Sequence, residues 1–324
     1  MRRLPEAGDW QGRIDTGETA DATRWHQHVR CAADASAAPQ DAVALIGFAC
    51  DAGVRRNQGR PGAAQGPAVI RAALGPLAWH LDADVLDFGD VVCEGDELEA
   101  AQGKLGDVVA ALLTRGLHPV VMGGGHEVAW ASWQGIARWA ATKTIAPRIG
   151  ILNFDAHFDL RLAERSNSGT PFLQIAEDCA SRGWPFAYLC LGVAETANTA
   201  ALFARAEALG VGWRSDSQMA PWHLQETCAA VDAFLAGVDA VHLTVDLDAL
   251  PASTAPGVSA PAALGVELAV VEHVIERVAA SGKLLLGEIA EFNPAFDIDK
   301  RTARVAARLC VQLSRALGRP GAMA

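Results

Sequence analysis

Residues 149–161 read IGILNFDAHFDLR, and the rest of the chain takes its meaning from them. An apolar segment, Ile149 to Leu152, delivers Asp155, His157 and Asp159 at intervals of two. In an extended chain residues i, i+2 and i+4 project to one side, whereas on a helix the middle one would point away from the other two. Three potential metal ligands converging at the end of a buried strand is the natural reading. A strand running into an ordinary polar loop accounts for any one of them alone, and poorly for all three with the partners that follow.

The chain has 324 residues, 51% of them hydrophobic and 20% charged, which is enough apolar material for a large core. Its net charge of −11, from 27 basic against 38 acidic residues, lacks the basic excess that nucleic acid or an anionic membrane would demand. Seven scattered cysteines, odd in number and without a C-x-x-C pair, point to reduced thiols in a cytoplasmic protein. The N-terminus (MRRLPEAGDWQGR) has no apolar stretch after its arginines. No apolar run approaches the roughly 18 residues that a membrane helix needs. A small molecule is therefore the expected partner.

Residues 1–40 are expected to form an N-terminal arm packed on a single domain spanning 41–324, with His26 and His28 serving packing or solvent. Residues 41–49 read as the first buried strand. It opens into CDAGVRRNQGRPGAAQGP, a long loop in which Arg55, Arg56 and Asn57 are candidates to bind an anion, a solvated surface loop being the alternative. A helix opened by Pro and closed by Gly follows at 67–75. A strand is expected at 84–88, a helix at 97–115, and a strand at 118–122 that leads into GGGHE. Glycines directly after a strand let the backbone turn sharply and bring His126 to a site. The Lys-Ser/Thr pair of a phosphate loop and the dinucleotide spacing are both missing. Residues 128–141, with three tryptophans, continue as a buried helix.

Beyond the central stretch, a polar loop at 164–172 precedes a helix to about 182, a strand at 186–193 and an amphipathic helix at 194–210. The strand at 240–245 ends in Asp246 and Asp248, a Pro- and Gly-rich loop follows, and a helix is expected at 267–280. The strand at 283–289 delivers Glu291, and residues 301–317 close the chain as a helix. Strands alternating with helices predict an α/β class with a parallel sheet covered on both faces. Ligands of such sheets bind beyond the carboxyl ends of the strands. His126, the 155–159 trio, the 246–248 pair and Glu291 all fall there.

Four carboxylates (Asp155, Asp159, Asp246, Asp248) and two imidazoles (His126, His157) make up the set. Packed together without a cation, four ionised aspartates would repel one another strongly, and two divalent ions would balance them. Oxygen-rich donors with two imidazoles and no thiolate suit Mn2+ better than a structural zinc. Two such ions can share a water and lower its pKa, so hydrolysis is the implied reaction class.

The motifs GGGHE, DAHFD, SGTPF, DLD and EFNP, in this order over most of the chain, resemble the ureohydrolase (arginase and agmatinase) superfamily. The stretches GFACDAGVRRNQGR, SGTPF and LPASTAPGVSAPAALG followed by EFNP are most similar to the branch that hydrolyses N-formimidoyl-L-glutamate in histidine degradation. The likeness runs from about Trp10 to the last helix. It implies a three-layer α/β/α arginase-type fold around a parallel sheet of roughly eight strands. It also implies two Mn2+ ions per subunit and a homo-oligomer. His126, Asp155, Asp159 and Asp246 would bind one ion, and His157, Asp155, Asp246 and Asp248 the other. Asp159 would also pass a proton to the leaving amine, and Glu291 would pair with the cationic amidine.

Two departures from the arginase pattern are informative. DAHADIN ends in Asn where this chain has Arg161, and SGNxHG carries a His where it has Phe172, so a histidine proton relay is not expected there. A guanidinium grips a carboxylate at two points, so Arg161 suits an acidic amidine with two carboxylates; an ion pair to a ligand aspartate is the alternative role. Ser168, Thr170, Arg55 and Asn57 are further expected substrate contacts, Asn198 is a weaker one, and Glu127 and His242 are expected to be structural. The competing readings are a ureohydrolase releasing urea from a guanidino acid, a single-zinc deacetylase of the same fold, and a metal-binding scaffold without activity. His157 and Asp248, as a complete second ligand set, speak against the deacetylase.

Overall fold

The computed structural model describes residues 1–36 and 38–318; position 37 of the expected arm and residues 319–324 of the expected domain lie outside the described residues. The chain opens with β1 (Arg2–Arg3), α1 (Trp25–His28), β2 (Arg30–Cys31), β3 (Val43–Ala49), α2 (Ala52–Arg56), α3 (Gly66–Leu74) and β4 (Val85–Val92). Then come α4 (Leu98–Thr114), β5 (His118–Met122), α5 (Val128–Ala140), β6 (Ile149–Phe154), α6 (Pro171–Arg182) and β7 (Ala187–Val193). The last part holds α7 (Ala200–Ala208), β8 (Gly212–Ser215), α8 (Leu224–Ala236), β9 (Ala240–Asp246), α9 (Leu268–Ala280), β10 (Leu284–Ala290) and α10 (Arg301–Leu317).

One sheet runs in the order β1-β4-β3-β5-β10-β9-β6-β7-β8, with β2 also on β4. Every pairing is parallel except that of β1 with β4. The strands β3 to β10 are the expected eight; the two-residue β1 and β2 are additions from the arm. Strand alternation divides the core in two. In β3, Val43 and Leu45 join a cluster with α3, α8, α9 and α10, whereas Ala44, Ile46 and Phe48 join one with α4, α5, α6 and α7. Helices thus cover both faces, and the architecture is a three-layer α/β fold.

The arm is fastened rather than loose. Trp10 Nε1 donates to Asp87 Oδ2 (2.9 Å), and Arg3 bonds both Asp9 and Asp90. Beneath them Arg71, 1% exposed, reaches Asp87 (2.8 Å) and Asp90 (2.6 Å). A guanidinium so deeply buried is tolerable only because carboxylates and a backbone carbonyl, that of Gly89, satisfy it. His26 and His28 serve this packing, the latter stacked on Trp79 at 4.5 Å.

The order of strands positions the site. The chain first lays down β3, β4 and β5, then β6, β7 and β8, and finally returns to place β9 and β10 in the gap. As a result β5, β10, β9 and β6 are neighbours, and their carboxyl ends open on one crevice at the middle of the sheet.

Candidate metal centre

Each of those four strands ends in donors. After β5, the backbone of residues 123–125 is stitched to its neighbours: Gly123 N–H donates to the Ile289 carbonyl (2.7 Å), Gly125 N–H to Cys50 (3.2 Å), and Glu291 N–H to Gly124 (2.8 Å). A Cβ on Gly124 would overlap the Cys50 carbonyl, so only glycine lets the strap lie this close to the end of β3. It holds His126, 1% exposed, with Nδ1 facing Asp155 Oδ2 (3.0 Å), Asp159 Oδ2 (3.2 Å) and Asp246 Oδ2 (3.0 Å). His157 Nδ1 faces Asp155 Oδ1 (3.4 Å) and Asp248 Oδ2 (3.2 Å). Donors of His126, Asp155, Asp159 and Asp246 make one group within 4.8 Å of one another, and those of Asp155, His157 and Asp248 a second. Asp155 thus offers one oxygen to each. Asp246 faces the first group, and its Oδ1 accepts the Asp248 N–H at 2.8 Å.

The backbone is strained where the chemistry is. Asp159 (φ 49) and Glu291 (φ 64) both adopt the left-handed conformation, a cost of order 1–3 kcal/mol that surrounding contacts must offset. The Asp155 carboxylate accepts from its own loop, His157 N–H at 2.7 Å, and from Asn153 Nδ2 at 3.0 Å. His126 Nε2 lies 3.1 Å from Thr244 Oγ1. That hydroxyl keeps Nε2 protonated when Nδ1 gives its lone pair to a metal, and fixes the ring plane.

Electrostatics ask for cations. Burial, then the Asp155 charge, pushes Asp159 up to about 6. Burial with Asp248 and Asp155 drives Asp246 well above the carboxylate range, and burial with Asp246 does the same to Glu291. Burial works against a charged imidazole, yet the carboxylates raise His126 and His157 well above their ordinary value. Asp155, which burial would raise, is held low by those two histidines. Left to itself the cluster retains protons; divalent ions would replace them. The donor set fits such ions: His126 Nδ1 and Asp248 Oδ1 are buried with no hydrogen-bond partner among the described residues, and oxygen and imidazole donors without thiolate suit Mn2+.

Over the cluster lies a cavity of about 300 Å³, lined among others by His157, Asp159, Asp246, Asp248 and Glu291. Glu291 Oε1 accepts the His126 N–H (3.0 Å), and its buried Oε2 has no partner among the described residues. Arg161, Ser168 and Asn57 line the cavity, as does Arg60, which the sequence reading passed over. Arg161 makes no side-chain hydrogen bond or ion pair with any described residue, so the alternative of an ion pair to a ligand aspartate is not realised.

Two expected contacts lie elsewhere. Arg55 turns to the Asp51 carboxylate and the Gly95 carbonyl (2.6 Å), because the loop expected at 50–67 begins as helix α2 and its i,i+4 pair satisfies the guanidinium. The Thr170 hydroxyl is spent on the turn before α6, bonded to Asn167 and Gln174. Asn198 is also off the cavity: its amide holds the ligand loop through Phe158 N–H and the Ala156 and Ala194 carbonyls. Glu127 is structural, its carboxylate accepting Gly53 N–H (2.9 Å). His242 is fully buried, 3.5 Å from Glu288. Phe172 packs edge-on against His126 (5.3 Å) and stacks on Tyr188 (4.5 Å), so an apolar ring stands at the position of the arginase histidine.

The sequence profile of the Arginase family matches residues 41–314. A formimidoylglutamase of Ralstonia nicotianae is 58% identical over 314 residues, covering 97% of this chain and 96% of its own. That of Aeromonas hydrophila is 57% identical over 306 residues, covering 94% and 96%. Among solved structures, the Trypanosoma cruzi formiminoglutamase with Mn2+2 superposes with a TM-score of 0.76 at 27% identity, over 88% of this chain and 97% of that one. The formimidoylglutamase of Bacillus subtilis, at 21% identity and a TM-score of 0.78 over 94% and 96%, supports the fold.

Proposed function

The chain belongs to the arginase family, and from that membership we propose that it hydrolyses N-formimidoyl-L-glutamate to L-glutamate and formamide, a step of histidine degradation. It is a hydrolase of C–N bonds in linear amidines. The observation that carries the substrate is Arg161, a guanidinium without a partner among the described residues, lining a cavity whose floor is a cluster of candidate metal ligands.

Two Mn2+ ions fit that floor. His126, Asp155, Asp159 and Asp246 would hold one, and Asp155, His157 and Asp248, with Asp246 beside them, the other. When bound they supply Lewis acidity and bring the pKa of water toward neutrality. The remaining work falls to side chains. The unpartnered Glu291 Oε2 accepts an N–H of the substrate amidinium and turns the formimidoyl carbon toward the floor. Asp159, with Oδ2 on His126, takes the proton of the attacking water and delivers it to the glutamate nitrogen as the C–N bond breaks. Arg161 receives a carboxylate, Ser168 and Asn57 add donors beside it, and Phe172 keeps water off the flank of His126.

We place the protein in the cytoplasm as a homo-oligomer. Its seven unpaired cysteines suit a reducing compartment, and among the described residues no helix is long and apolar enough to cross a membrane. Light scattering checks the assembly. The function is tested by offering Mn2+-loaded protein N-formimidoyl-L-glutamate beside a panel of guanidino acids. Glutamate and formamide from the first, with no urea from the others, is the expected result; urea from a guanidino acid would overturn the substrate.

A further inference from the structure

We infer that Arg60 and Ser259 form a second carboxylate station in the cavity, separate from the one at Arg161 and Ser168, so that the two carboxylates of the substrate are held by different arginines. This rests on the proposed acidic amidine substrate and assigns its recognition.

Four arginines stand on or near the cavity wall, and their partners divide them. Arg55 is neutralised by Asp51, and Arg56 by Asp96 and Glu99. Arg60 and Arg161, the two that line the cavity, form no ion pair with any described residue. An arginine left uncompensated beside a ligand cavity is placed for an anion. Two of them match a dianion better than one. With two divalent ions against Asp155, Asp159, Asp246, Asp248 and Glu291, the floor retains one negative charge, which the two arginines turn into one positive. An amidinium carrying two carboxylates has one net negative charge.

The two stations are built alike, at either end of the turn 57–60. At one end Asn57 Nδ2 donates to Ser168 Oγ (3.0 Å); at the other Arg60 N–H donates to Ser259 Oγ (2.9 Å). A hydroxyl that accepts still has its proton to give, and neither serine spends that proton on a described residue. Each station therefore offers one guanidinium and one O–H donor. Arg60 is also pre-set: Nε donates to the Ser259 carbonyl (2.9 Å), Nη2 to that of Val258, and the guanidinium carbon lies 4.0 Å over the Phe296 ring. Nη1 donates to none of the described residues. A side chain fixed in this way loses little entropy on binding.

The turn is shaped to bring these groups together. A Cβ on Gly59 would stand 2.6 Å from Ser259 Oγ and 2.8 Å from Val54 Cγ1, so glycine is what admits the serine. Gln58 before it adopts φ 61, strain stored in a cavity wall.

The test compares three substrates on the Mn2+-loaded full chain. These are N-formimidoyl-L-glutamate, N-formimidoyl-4-aminobutanoate (no α-carboxylate) and N-formimidoyl-L-2-aminobutanoate (no γ-carboxylate). Wild type, Arg60→Met, Ser259→Ala and Arg161→Met are compared by the ratio of kcat/KM for the diacid to that for each monoacid. A misplaced loop slows all substrates together and leaves the ratios alone, so the ratios isolate recognition. Arg60→Met is expected to lose discrimination against one monoacid by about 10–100-fold. Ser259→Ala, which removes only a hydroxyl, should lose it against the same one to a smaller degree, and Arg161→Met against the other. Wild-type ratios in both Arg60→Met and Ser259→Ala, or loss against the same monoacid as Arg161→Met, would overturn the second station. A wild-type enzyme that releases no glutamate from the diacid would instead overturn the substrate reading beneath it.

Discussion

Asp155 gives Oδ2 to one half of the centre and Oδ1 to the other, which no other side chain in the cluster does. Asp155→Ala should therefore lose both metal ions and all turnover; elemental analysis finding one ion still bound at full occupancy would reject the shared ligand. Thr244 acts at one remove. Thr244→Val deletes the hydroxyl at His126 Nε2 while keeping the side-chain shape, and should weaken Mn2+ binding by about 10–100-fold in calorimetric titration. An unchanged affinity would show that the ring needs no such support. Arg161→Ala should raise KM for the diacid with a smaller change in kcat, the mark of a contact made equally in ground and transition states. These residues were not equally legible beforehand. Five of the six expected ligands declare themselves as acids and a histidine spaced by two at strand ends, and the sixth, His126, by the glycines before it. Thr244 becomes meaningful only because β9 carries it beneath His126, 118 positions away. Arg60 reads as one more basic residue in a loop until its neighbours are seen to be paired and it is not.

The elements that aim these residues are held by close backbone approach and by buried charge. Gly124→Ala would thrust a methyl into the Cys50 carbonyl, and relief requires the strap to move away from β3, taking His126 with it. We expect a lower Tm together with loss of Mn2+; a variant that melts and loads as wild type would show the approach to be dispensable. Arg71→Ala, leaving buried Asp87 without a counter-ion and Asp90 with only Arg3, should cost about 3–5 kcal/mol in denaturant unfolding, and a loss below about 1 kcal/mol would mean that the arm and α3 do not depend on it. Seven of the eight long strands were visible as apolar runs between turn signals. The exception, β8, reads Gly-Trp-Arg-Ser, lies at the sheet edge and is largely exposed, so no burial pattern marks it. Helix α8 does carry the signal, with Leu224, Cys228, Val231 and Leu235 at helical spacing. Helix α2 escaped notice because glycine and arginine dominate its five residues.

At the scale of the molecule, metal and stability are linked through protons. Without metal, the folded-state pKa of Asp159, about 6, lies above its ordinary 3.8. The folded form then keeps a proton that the unfolded chain has lost, and stability falls as pH climbs between those values. His126 and His157, also raised, contribute in full below their ordinary 6.5 and lose that contribution as pH rises through their higher folded values. Both effects have one sign, and Mn2+ cancels both. The gap in Tm between Mn2+-loaded and chelated protein should widen from pH 5 to pH 8; a constant or narrowing gap would reject the linkage. The layer architecture was legible from alternation alone, because parallel strands buried on both faces leave continuous apolar runs. The order of the strands was not, since nothing in a strand's own composition names its neighbour. That order has a consequence for biosynthesis. The strand β10, last to leave the ribosome, is the one that sits between β5 and β9 and joins the two halves of the sheet. A nascent chain stopped short of it carries two bare edges, each a template for pairing with other chains, and has its histidine from β5 on one side and its aspartates from β6 and β9 on the other. The half of the centre that contains His126 thus closes only when β10 arrives, whereas Asp155, His157 and Asp248 already lie together on the β6–β9 side.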